Sequence, residues 1–119
     1  MLEKAIQQMI SSDLVEPINC SDWLRPMVTV LKKDGTVRIC NDLKELNSQL
    51  IIENFPLPTF DELLVKITGA RFFSKLDLKK AFFHMPLTPE SRPLTAFPTS
   101  SCLFQYTVLP MRLSSAPVA

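Results

Sequence analysis

The chain has 119 residues, 46% of them apolar, with 13 Lys and Arg against 12 Asp and Glu for a formal charge of +1. That allows one domain at most with enough apolar content for a core, and it excludes general disorder. It also excludes a global electrostatic pull toward nucleic acid, so any basic surface must be local. Cys20, Cys40 and Cys102 are scattered, and His84 is the single histidine. No zinc spacing results, and the pattern suits a reducing, intracellular compartment. No apolar run approaches a membrane span, and the charged Met1-Leu-Glu-Lys4 start has no signal-peptide core. Ten prolines against two glycines is an odd balance for a domain full of turns.

Leu2, Ala5, Ile6, Met9 and Ile10 recur at helical spacing and predict an amphipathic packing helix that ends near Ser11-Ser12-Asp13. Leu14 to Pro17 leaves in extended form, because Pro17 biases Glu16 away from helix. Met27–Leu31 reads as a strand rich in β-branched residues. Lys32-Lys33-Asp34-Gly35 is a hairpin turn, and residues 36–40 return as its partner. Lys32, Lys33 and Arg38 therefore gather on one hairpin. They are either a solvated tip or a phosphate grip, with lysine as point charge and arginine as fork. Thr59-x-x-Glu62 forms a capping box ahead of the apolar stripe Phe60, Leu63, Leu64 and Ile67, and Gly69 ends that helix.

The next stretch, Arg71 to Leu87, is the informative one. Alternation puts Phe72, Ser74, Leu76 and Leu78 on one face of a predicted strand and Phe73, Lys75 and Asp77 on the other. The apolar face would anchor the strand while Asp77 looks outward at its end. A carboxylate in such a run is costly unless it is paired or faces a wet cleft. A cap, a turn or a salt bridge would explain it, and so would a catalytic or metal-binding role. His84, with no partner at ligand spacing, reads as a packing or hydrogen-bonding residue. Residues 94–97 and 103–109 predict two further strands, joined by a turn at Pro98 to Cys102.

Leu-Asp-Leu-x-x-Ala-Phe-Phe-His, around Asp77, resembles the first catalytic segment of reverse transcriptases, most closely those of gypsy-class LTR retrotransposons. Lys-Lys-Asp-Gly-x-x-Arg, followed by Asn41-Asp42-Leu43-Lys44-Glu45-Leu46-Asn47, resembles the fingers hairpin of the same polymerases. Asp22 to Pro26, Pro56-Leu-Pro58 with its helix, Arg92 ahead of Thr-Ala-Phe, and Leu109-Pro-Met-Arg-Leu-Ser-Ser-Ala-Pro117 fit the family's order. The resemblance covers nearly the whole chain. It implies an α+β fold, fingers plus the first part of the palm, with an antiparallel sheet and flanking helices. About 1–55 would be fingers-like, and about 56–119 would be the start of the palm with returning fingers strands.

It further implies Asp77 and the backbone carbonyl of Leu78 as metal ligands, and Lys32, Lys33, Arg38, Phe82 and Met111 as nucleotide contacts. Phe82 would be the gate against the ribose 2′-hydroxyl. Lys44, Pro110 and Arg112 would lie on the template side. The implied cofactor is Mg2+ or Mn2+. The implied partners are an RNA or DNA template-primer, a dNTP and the rest of a pol polyprotein, with no membrane. Lys44 stands where arginine is usual, Asn41 where valine or glycine is common, and Arg112 and Cys102 where glycine is usual. The lost glycines suggest drift without selection for catalysis. The two-metal chemistry needs more carboxylates than Asp77 provides, and the chain has no Asp-Asp pair. The expectation is therefore a truncated polymerase piece, inactive alone and binding no metal tightly. The alternative is a domesticated or degenerate relic that binds nucleic acid or protein without catalysis.

Overall fold

The computed structural model describes residues 2–114. In chain order they form α1 (Leu2–Ser11), β1 (Val15–Ile18), β2 (Met27–Leu31), β3 (Val37–Asn41), α2 (Lys44–Gln49), α3 (Phe60–Ile67), 3₁₀ turns at Ala81–His84 and Arg92–Thr95, β4 (Phe97–Pro98) and β5 (Leu103–Tyr106). The architecture is α+β, as expected. One antiparallel sheet has the order β1-β5-β4, and β2-β3 is a separate hairpin.

The helical spacing in α1 lays Ile6 into the core beside Val15, Phe97, Phe104 and Tyr106. Asp13 then turns the chain in the left-handed region (φ 54°), and Pro17 keeps β1 extended. Pro17 is tolerated because β1 lies at the sheet edge, opposite Phe104. Phe97 is fully buried. Its ring centroid lies 6.1 Å from that of Phe104 and 5.5 Å from that of Tyr106. This aromatic group is the densest part of the interior, and its burial raises the Tyr106 phenol above its ordinary pKa. Leu43, Leu46, Leu109 and Leu113 make a second cluster.

The hairpin follows the Asp-Gly signal. Gly35 takes φ +78° and donates to the Lys32 carbonyl, and Asp34 accepts from both the hydroxyl and the amide of Thr36. Those bonds hold the Asp34 carboxyl below its usual pKa. Thr36 belongs to the turn, so β3 begins at Val37, one residue later than the sequence suggests. The capping box at Thr59 and Glu62 forms, and Gly69 stops the chain after α3 with φ +84°.

Three strand expectations are corrected. Residues 71–78 form no strand. A strand needs a neighbour to accept and donate along its edge, and no segment among the described residues pairs with this one. Its expected anchoring face is therefore open, with Phe72 and Leu76 both 93% exposed. Residues 94–97 are mostly a 3₁₀ turn, with Pro93 at its start and Phe97 alone entering β4. β5 stops at Tyr106, although Leu87 donates to the Thr107 carbonyl and Leu109 to that of Met85. The sequence reading also missed α2. Its apolar Leu43, Leu46 and Leu50 are helically spaced, and Asp42 accepts from the Lys44 amide at its start.

Every residue from 51 to 82 is exposed, including the apolar stripe of α3. This length of chain stands off the core and raises the radius of gyration to 17.7 Å, against roughly 13–14 Å for a compact chain of this size. Limited chymotrypsin digestion should therefore cut first after Phe60, Phe72 or Phe73 and leave the Phe97 region intact. First cuts at Phe104 or Tyr106 would contradict this burial.

Glu16 joins β1 to β5 and to the Arg92 turn. The Gln105 amide donates to it at 2.6 Å, and Arg92 donates to both carboxylate oxygens at 3.2 and 3.3 Å. The Gln105 bond foremost, then Arg92, lowers the Glu16 pKa against an opposing desolvation. A lowered folded-state pKa stabilises above the unfolded value and loses that contribution as pH falls through the folded one. Urea unfolding should thus show stability falling from pH 6 to pH 3, with a shallower fall in Glu16→Gln. Identical slopes would remove Glu16 from the account.

Candidate functional site

The hairpin, α1 and the turn after residue 78 enclose a cleft of about 650 Å³. Lys32 and Arg38 come from the hairpin, and Lys80 comes from the turn. Met9, Ile39, Phe83 and Met111 supply apolar walls. Gln8, Ser11, Ser12 and Thr36 are its uncharged polar side chains, and none of its lining residues is a carboxylate. Three cations without an anion in a partly apolar recess make a site for a polyanion with an apolar portion, since clustered cations attract phosphate. The Arg38 guanidinium donates to the Met111 sulfur at 2.9 Å. That weak acceptor leaves its charge uncompensated.

A second recess of about 440 Å³ lies on the other side of the hairpin base. Lys44 and Arg112 bring positive charge to it, and Asp42 and Asn47 sit beside them. Pro110, two residues before Arg112, is fully buried and does not line the recess. Arg112 takes φ +71°, a conformation suited to glycine. Asn47 clamps it in place by donating to the Arg112 carbonyl at 2.9 Å and accepting from the Ser114 amide at 2.8 Å. The Arg112 side chain therefore borders the Lys44 recess and not the cleft. Cys102 needs no glycine conformation, because it is not among the residues with positive φ.

The predicted residues thus divide. Lys32, Arg38 and Met111 meet in the cleft, and Lys44 and Arg112 meet in the recess. Lys33 is exposed at the hairpin tip, outside both. Phe82 is 37% exposed and its neighbour Phe83 lines the cleft in its stead. Asp77 and Leu78 lie in the exposed 71–78 stretch and border neither cavity. No three His, Cys, Asp or Glu side chains among the described residues come together as a metal site, so these residues do not by themselves fit a pair of metal ions. His84 has the hydrogen-bonding role expected, with Nε2 3.0 Å from the Lys79 carbonyl. Residues 115–117 of the last motif lie outside the described residues.

Arg25 and Lys80 carried no functional weight in the sequence. Arg25 is buried, pairs with Glu45 of α2, and lies 5.1 Å from the Trp23 ring centre. Its position beside Trp23, ahead of the hairpin, was the available signal.

Residues 30–119 match the family described as reverse transcriptase (RNA-dependent DNA polymerase). The retrovirus-related Pol polyprotein from transposon 412 of Drosophila melanogaster is 33% identical over 98% of this chain and 10% of its own length. The transposon Tf2-3 polyprotein of Schizosaccharomyces pombe is 38% identical over 77% of this chain and 7% of its own. The chain spans about a tenth or less of these curated relatives. Among solved structures, the prototype foamy virus protease-reverse transcriptase superposes with a TM-score of 0.79 at 28% identity, over 98% of this chain and 16% of that one. A foamy viral protease-reverse transcriptase in complex with an RNA/DNA hybrid gives 0.74 at 20% identity, over 98% of this chain and 15% of that one.

The left-handed Arg112 makes a direct test of backbone strain. Arg112→Gly should stabilise the chain by about 0.5–1 kcal/mol, the relief of a non-glycine residue in that region less the added freedom of the unfolded chain. Asn47→Ala should destabilise it by about 1–2 kcal/mol through the lost clamp. Both are read from urea denaturation midpoints. A destabilised Arg112→Gly would show that the side chain earns more than its backbone costs.

Proposed function

Since the chain belongs to the reverse transcriptase (RNA-dependent DNA polymerase) family, we propose that it forms the nucleotide- and template-holding face of an RNA-directed DNA polymerase of a gypsy-class LTR retrotransposon. One observation carries this reading. The cleft that gathers Lys32, Arg38 and Met111 is cationic, free of lining carboxylates and partly apolar. That is the chemistry a nucleoside triphosphate needs.

In this reading Lys32 meets the triphosphate as a point charge and Arg38 as a fork. Met111 offers an apolar, polarizable contact to the sugar or base. Lys33 adds charge at the hairpin tip, and the sugar gate that the resemblance gives to Phe82 would need that side chain to turn to the cleft that Phe83 now lines. Lys44 and Arg112 hold the template backbone, and the buried Pro110 fixes the chain that leads into Arg112. The template-primer is the partner that the positive recess fits, and the foamy viral relative solved with an RNA/DNA hybrid has the same fold.

Asp77, with the Leu78 carbonyl, contributes one oxygen-rich position toward Mg2+ or Mn2+. Such ions, where bound, neutralise the charge that develops in phosphoryl transfer. Two ions require further carboxylates, and the 119 residues have no Asp-Asp pair. The chemical step is therefore not assigned to this chain alone.

The 119-residue chain should give no RNA-templated primer extension with Mg2+ or Mn2+. A polymerase carrying this sequence should extend, and Asp77→Asn in it should reduce extension by about a thousandfold or more, the scale of losing a group that stabilises transition-state charge. Extension by the 119-residue chain itself, abolished by Asp77→Ala, would overturn the division of labour. An Asp77→Asn polymerase with unchanged rate would overturn the metal role.

A further inference from the structure

We infer that Lys80 is a phosphate-binding residue of the cleft, and that its ammonium meets the triphosphate group alongside Lys32 and Arg38. The inference rests on reading the cleft as a triphosphate site, and it adds a residue that neither the family match nor the motif spacing singles out.

Lys80 lines the cleft, whereas the adjacent Lys79 does not. The difference comes from the backbone. Lys80 takes φ 53° and ψ 53°, a left-handed conformation that is costly for a residue with a Cβ. It reverses the chain directly after the exposed 71–78 stretch and returns the side chain toward the hairpin. Local bonds hold this turn. The Phe83 amide donates to the Lys80 carbonyl at 2.9 Å, and the His84 ring sits 3.0 Å from the Lys79 carbonyl.

The side chain is placed as well. The Lys80 Nζ lies 5.9 Å from the Phe83 ring centre, and Phe83 packs against the aromatic core. A cation over an aromatic face keeps its charge while its stem loses freedom. The ion pairs among the described residues are Arg25 with Glu45 and Arg92 with Glu16, so Lys80 brings an uncompensated charge. Across the cleft, Arg38 is occupied only by the Met111 sulfur. A triphosphate carries enough charge and enough oxygens to meet three cations at once.

The test measures binding of inorganic tripolyphosphate and of dATP to the 119-residue chain by calorimetry at low salt. Lys80→Met keeps the apolar stem and should weaken tripolyphosphate binding by about fivefold, the scale of one charge-assisted contact. Lys80→Arg should stay within about twofold of the parent, and so should Lys79→Met, which removes the same charge one residue away. Circular dichroism confirms that the variants fold alike. If Arg38→Ala weakens binding and Lys80→Met does not, the inference fails while the triphosphate reading stands. If Lys79→Met weakens binding as much as Lys80→Met, only general charge is at work and the inference fails. If the parent chain binds no tripolyphosphate, both readings fail together.

Discussion

The basic hairpin is held to the rest of the molecule at Thr95 and Ala96. The Arg25 amide donates to the Ala96 carbonyl at 2.8 Å, and the Asn41 side chain donates to the Thr95 carbonyl at 3.3 Å. Arg25 precedes the hairpin and Asn41 ends it, so both of its roots are tied to one buried dipeptide. Thr95 is fixed in turn, because its hydroxyl donates to the Arg92 carbonyl and accepts from the Tyr106 amide. Buried polar groups of this kind are costly to leave unpaired, so the chain tolerates few other placements of the hairpin. The position of Lys32 and Arg38, and with it the shape of the cleft, follows from these contacts.

That anchoring explains how a chain of nearly balanced charge sustains a local cationic site. No carboxylate lines the cleft. Glu45 pairs with Arg25, Glu16 with Arg92, and Asp34 with the Thr36 turn. The two ion pairs lie away from the cleft, and Asp34, though close enough to attract Lys32, is not a lining residue, so Arg38 and Lys80 keep their charge there.

The parts legible in the sequence were those that local chemistry decides. The spacing from Leu2 to Ile10, the Asp34-Gly35 turn and the Thr59–Glu62 box each specify their element without outside help. The strand expected around Asp77 failed for the opposite reason. Alternation shows that residues 71–78 suit a sheet but does not supply a neighbour, and no described residue does. Leu94 to Phe97 misled because Pro93 and the Thr95 hydroxyl favour a tight turn over a ladder. For the site, Lys32, Arg38 and Met111 could be gathered from motifs. Lys80 could not, because its place depends on a left-handed backbone that no pattern of residue types announces.

The sheet register has a consequence for how the molecule comes into being. Val15 pairs with Tyr106 and Ile18 with Leu103, so a strand must wait for a partner that lies far downstream in the sequence. Until the segment through Tyr106 has left the ribosome, α1 and β1 have no sheet to join, and Ile6 and Val15 remain open to other chains. The entropy of closing so long a loop rises only slowly with length, but contacts this distant in sequence form late and slowly. Between the making of these two strands the future interior stays unprotected, and shielding by a chaperone would matter most during that interval.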